Sequence, residues 1–106
     1  MTQRMKRNAN MLKALHSCSK NDQKMLLKSA KPDLINAICD CLTNVVYGKI
    51  PISSQMKTKL RRKKKVLKEL TDPKVTTVRK KNLLVQHGGG IITNALGGIA
   101  KFLLGL

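Results

Sequence analysis

Residues 57–65 read Lys-Thr-Lys-Leu-Arg-Arg-Lys-Lys-Lys, with seven cations in nine positions. A block of that density cannot enter a protein interior, because buried charge is costly unless it is paired. It must therefore lie on the surface, and the core has to be assembled from the rest of 106 residues. That length allows one small domain. The chain as a whole carries a formal net charge of +17. Such an imbalance repels itself unless an anionic partner neutralises it. Nucleic acid is the first expectation and an anionic membrane the second.

Outside the block, apolar periodicity predicts helices throughout. Met5, Ala9, Leu12 and Leu15 recur every three or four positions, giving a helix over 3–17. Ser17 to Asn21 interrupts it, and Ser19 or Asn21 can cap a short helix over 21–30 carrying Met25, Leu26, Leu27 and Ala30. Pro32 and Asp33 suit a helix start. From there Leu34, Ile35, Ala37, Ile38, Cys41, Leu42, Val45 and Val46 form an arc broad enough for a central core helix. Gly48 is the expected C-terminal cap. Lys49 to Ile52 reads as an extended connector, since a residue before proline avoids the helical region.

The basic block falls on a fourth helix, starting at Ser53 or Ser54 and running to about Leu70. Its stripe is Met56, Leu60, Val66, Leu67 and Leu70, with Lys63 inside the stripe and needing to snorkel. A fifth helix, 76–87, would bury Val78, Leu83, Leu84 and Val85. The fold class expected is all-α, a small bundle of four or five short helices with a basic helical arm and a hydrophobic C-terminal tail. The division expected is a helical basic domain over 1–87, a glycine hinge over 88–90 and an amphipathic tail over 91–106.

Several function classes are disfavoured by composition. The chain has one Tyr, one Phe and no Trp, too few for base-stacking platforms. Contacts to phosphate are expected instead of sequence reading. Cys18, Cys39 and Cys41 do not make a disulfide framework, and with only His16 and His87 available a zinc site is not expected. Cys39 and Cys41 read as small core or core-edge residues, in a reducing compartment. Met1 to Arg7 is polar and basic, so no secretory signal is expected there. His87-Gly88-Gly89-Gly90 lacks the spacing of a phosphate-binding loop. Neither histidine has a nucleophile or carboxylate partner in a motif, so no enzyme activity and no cofactor are expected.

Two signals point to function. The first is the arm over 57–81, with twelve Lys or Arg against Glu69 and Asp72. Like charges four residues apart, as in Arg61–Lys65 and Lys64–Lys68, weaken a helix and imply an external anion. The candidate phosphate contacts are Lys57, Lys59, Arg61, Arg62, Lys63, Lys64, Lys65, Lys68, Arg79, Lys80 and Lys81. Arg61 to Lys65 is also compatible with nuclear localisation. The bland alternative is a solvated surface helix. The second signal is the tail, where Ile91, Ile92, Leu96, Ile99, Phe102, Leu103 and Leu106 share one helical side with Ala95. Sixteen residues with a lysine are short for a membrane span. Docking on a membrane surface or in a protein groove fits better, and folding back on the core is the structural alternative.

Lys31-Pro32-Asp33-Leu34-Ile35, the run Arg61 to Lys65, and Arg79-Lys80-Lys81-Asn82-Leu83-Leu84-Val85-Gln86-His87-Gly88-Gly89 together resemble a virion core protein of adintoviruses, the Polinton or Maverick elements of animal genomes. The resemblance covers most of 26–106 and is most specific over 83–89. That family is itself similar to the adenovirus core protein X (mu), in which an arginine-rich stretch meets a Gly-Gly pair and then an apolar segment. Here the charges are mainly lysine and a helical domain precedes them. The resemblance implies a protein of the virion, present in the host nucleus during assembly, that condenses double-stranded DNA. A capsid protein or an anionic membrane is the partner expected for the tail. A membrane-active minor virion protein and a host-domesticated, histone-like protein are the alternative readings.

Overall fold

The computed structural model describes residues 3–49 and 52–88. Within them the protein is an all-α bundle of seven helices. These are α1 (Gln3–Arg7), α2 (Ala9–Ser17), α3 (Lys20–Ser29), α4 (Pro32–Val46), α5 (Ser54–Arg61), α6 (Lys64–Leu70) and α7 (77–88). The expected connector over 49–52 lies partly outside the described residues, as do the hinge residues Gly89 and Gly90 and the whole tail 91–106. Gly88, the first residue of the expected hinge, is buried, helical and the last described residue of α7.

The central helix is α4, as its apolar arc requires. Leu34, Ile35, Ala37, Ile38, Cys39, Cys41, Leu42 and Val45 are all buried. Cys39, read from the sequence as a core or core-edge residue, joins this set, while Val46 is half exposed. Helices α1 and α6 pack on α4, α2 bridges α1 to α3, and α5 leans on α6. Met5, Leu12 and Leu15 from α1 and α2, Leu27 from α3, Leu60 from α5, Leu67 and Leu70 from α6, and Leu83 and Leu84 from α7 complete one core.

The caps follow the sequence closely. Ser19 Oγ accepts a hydrogen bond from the Asp22 N–H, and Ser53 Oγ from the Met56 N–H, both at 3.2 Å. Pro32 occupies the first turn of α4. That helix ends on a Schellman motif. The Gly48 N–H donates to the Val45 carbonyl at 3.1 Å and the Lys49 N–H to the Asn44 carbonyl at 2.8 Å. The motif needs a left-handed residue at Gly48, whose φ is +73°.

The helix count exceeds expectation because two long helices are each broken. The first breaks at Asn8, whose Nδ2 donates to the Arg4 carbonyl at 2.8 Å and to Asp33 Oδ2 at 2.9 Å. A polar side chain that takes a carbonyl one turn back bends the helix there, and Asn8 sits at φ −103°, ψ 13°. The second break falls at Arg62 and Lys63, inside the run of five consecutive cations. Lys63 has φ −107°, ψ 26°, and its N–H reaches only the Leu60 carbonyl, three residues back, at 2.9 Å. Repulsion along the run opposes a straight helix, while Leu60 and Leu67, seven residues apart and on one helical side, both stay in the core.

Candidate nucleic-acid interface

The decisive variable is which cations are left without a carboxylate. The chain has only five acidic residues, and the bundle pairs three of them with arginine. Arg4 makes a two-pronged contact with Asp40, Nε to Oδ2 and Nη2 to Oδ1, both at 2.9 Å. Arg7 Nη2 donates to Asp33 Oδ1 at 2.9 Å. Arg79 reaches Glu69 at 3.4 Å. Planar guanidinium suits this bidentate geometry better than ammonium. The Asp40 hydrogen bonds, then its charge, hold the Arg4 proton more tightly than usual. Those from Arg7 and then Asn8 hold the Asp33 carboxyl below the ordinary carboxylate range. These pairs tie α1 to α4 and α6 to α7.

By contrast, none of the eight candidate cations on α5, α6 and the bend between them is ion-paired among the described residues. Lys57, Lys59, Arg61, Arg62, Lys64, Lys65 and Lys68 are exposed, and Lys63 is half-buried, in keeping with its place beside the stripe. They are crowded onto 12 residues and held by Leu60, Leu67 and Leu70, which anchor the two helices to the core. Phosphate contact requires little more than this. Each cation that meets a phosphate releases condensed counterions, and no base-reading geometry is involved.

The second basic run is placed differently from the first. Val78, expected in the core, is 72% exposed, and Lys80 is 8% exposed in its stead. The α7 register is set by Leu83 and Leu84, both buried, and on a helix Lys80 shares their side while Val78 does not. The Lys80 charge acts on Cys39, on the core side of α4. Lys81 Nζ donates to the Ala30 carbonyl at 3.1 Å, capping the C-terminal end of α3. Lys80 and Lys81 therefore serve the fold. Arg79 stays half exposed in its contact with Glu69.

A similar exchange occurs on α3. Met25, one of the apolar residues that helix was expected to carry, is 69% exposed, and Gln23 is buried, with Nε2 donating to the Leu15 carbonyl at 2.6 Å. The same helix carries a second basic strip that sequence reading missed: Lys20, Lys24 and Lys28, with Lys31 just beyond its end, are all exposed. Their spacing by four, four and three residues was the available signal.

The three thiols are reduced and separate in role. Cys39 and Cys41 are buried and Cys18 is partly exposed. Burial pushes the Cys39 thiol up to about 11 and the Cys41 thiol up to about 12. Among the described residues no three His, Cys, Asp or Glu side chains gather in a way that could hold a metal, and no helix is long and apolar enough to cross a membrane. The seven candidate docking residues of the tail, Ile91 to Leu106, lie outside the described residues. Compared with known proteins, the chain matches no protein-family model, no curated protein and no solved structure.

Proposed function

We propose that the protein binds and condenses double-stranded DNA without regard to sequence and without catalysis, as a core component of a virion. The observation that carries this reading is the division of charge. Three of the five acidic residues are taken up by Arg4, Arg7 and Arg79, while the cations of α5 and α6 face solvent without carboxylate partners among the described residues. A fold that merely needed solubility gains nothing from a run that bends its own helix. An external polyanion relieves the repulsion and explains its retention. The α3 strip supplies phosphate-reaching groups on a second helix, and contacting more than one segment of duplex is what condensation asks for beyond binding. The resemblance to adintovirus core proteins adds the setting: a virion, assembled in a host nucleus.

Titration of the purified protein against two unrelated duplexes across a range of salt tests this. Affinities that agree between sequences and fall steeply with salt are expected. Weak binding at low salt, or a strong preference for one duplex, removes the proposal. A second reading rests on the apolar pattern of 91–106, which suits docking on capsid protein or on an anionic membrane. Leakage of anionic vesicles that disappears when 91–106 is deleted would move membrane action to first place.

A further inference from the structure

Four of the basic residues do more than face solvent. Lys57, Arg61, Lys64 and Lys68 line one open groove of about 740 Å³, formed where the end of α4 meets α5 and α6. They recur at intervals of four, three and four, which aligns them along one side of the two helices. The floor between them is apolar: Val46, Ile52, Leu60 and Leu67, with Val45 at the α4 end. No acidic residue lines it. Lys59, Arg62 and Lys65 lie outside it, so the structure sorts the arm into a groove set and an outer set.

A DNA backbone would use such cations but has no use for an apolar floor. The floor and rim together ask for a ligand that is both greasy and anionic. The volume falls in the range of small-molecule pockets, too small to enclose a whole helix of a partner protein. The chain's own residues 91–106 are apolar but carry Lys101 and no acidic residue, so they would add a cation to the rim where it needs an anion. We propose that this groove binds a single alkyl chain of an anionic lipid, the chain lying on Val46, Ile52, Leu60 and Leu67, and the phosphate or carboxylate head held among Lys57, Arg61, Lys64 and Lys68. This site shares Lys57, Arg61, Lys64 and Lys68 with the DNA reading, but its apolar floor does not depend on that reading and the test below stands without it.

Calorimetric titration of the full-length protein with dodecyl phosphate, kept below its micelle concentration, is the test. One molecule should bind per chain, about a hundredfold more tightly than butyl phosphate, because only the longer chain covers the floor. It should also bind about tenfold more tightly than zwitterionic dodecylphosphocholine. Val46 is half exposed, so Val46→Trp should fill the groove without disturbing the fold, checked by thermal melting. It should weaken dodecyl phosphate at least tenfold and leave butyl phosphate and DNA affinity alone. Lys57→Gln with Lys68→Gln should weaken dodecyl phosphate about tenfold, whereas the matched double change Lys59→Gln with Arg62→Gln should not. Equal affinity for butyl and dodecyl phosphate, indifference to Val46→Trp, or equal effects of the two charge-matched doubles would each overturn the proposal.

Discussion

Replacing Arg61, Arg62, Lys64 and Lys65 together by glutamine separates binding from folding, because the two should move in opposite directions. All four are exposed and none is ion-paired among the described residues. Lys63 is left in place because it is half-buried. If each of the four meets one phosphate, the slope of log affinity against log salt should flatten by about 3.6, taking roughly 0.9 per phosphate. Between about 1 M and 0.15 M salt that slope difference amounts to roughly a thousandfold in affinity, or about 4 kcal/mol. The same change removes the like-charge pairs Arg61–Lys65 and Lys64–Lys68 and others three residues apart, each worth about 0.2–0.5 kcal/mol of repulsion. The variant should therefore be more stable by about 1 kcal/mol, raising Tm by roughly 4–8 °C for a domain of this size. Fluorescence anisotropy with labelled duplex across salt, alongside thermal melting by circular dichroism, reads both quantities. An unchanged salt slope would refute the phosphate assignment. A fall in Tm would refute the argument that repulsion bends the helix at Arg62 and Lys63.

The remaining predictions concern the fold that presents this surface. Lys81→Met should lower Tm by the equivalent of about 1–2 kcal/mol, through loss of the charged hydrogen bond to the Ala30 carbonyl, and should leave the DNA salt slope unchanged. A flatter slope would return Lys81 to the phosphate contacts. Gly48→Ala should cost about 1 kcal/mol in denaturant melts, because φ is +73° there while a Cβ would meet nothing within 4 Å, so the penalty is conformational alone. On the alkaline side, Cys39 and Cys41 have folded-state pKa values raised to about 11 and about 12 against 9.0 for a free thiol. The unfolded chain loses these protons first, so stability should be intact below about pH 9 and decline as pH rises through 11 to 12. Cys39→Ser with Cys41→Ser should abolish that part of the decline. Cys18, partly exposed where Cys39 and Cys41 are buried, should react with a maleimide at neutral pH well before them.

Much of this protein was legible from local pattern. The apolar arc over 34–46 selects a central helix, Ser19 and Ser53 mark helix starts, and Gly48 marks a helix end; each depends only on residues within one or two turns. The division of the basic arm was not legible, because it depends on contacts across tens of residues. Asn8 looks like an ordinary helical residue until Asp33, 25 positions on, accepts its side chain. Lys81 looks like part of a basic cluster until Ala30, 51 positions back, offers its carbonyl. Periodicity also misjudged face on α7: Val78 was expected in the core, yet it is exposed while Lys80 is buried, because Leu83 and Leu84 set which side packs inward.

The sequence by itself determined that the chain is helical, strongly basic and able to bury one small core, because helix period and net charge are properties of neighbouring residues and of composition. Tertiary structure alone decided which cations remain available. Five carboxylates cannot neutralise 22 cations, and which ones they take depends on what the folded bundle brings within about 3 Å. That selection leaves the cations of α5 and α6 without a carboxylate among the described residues, draws Lys80 and Lys81 toward the fold, and gathers four cations around an apolar floor.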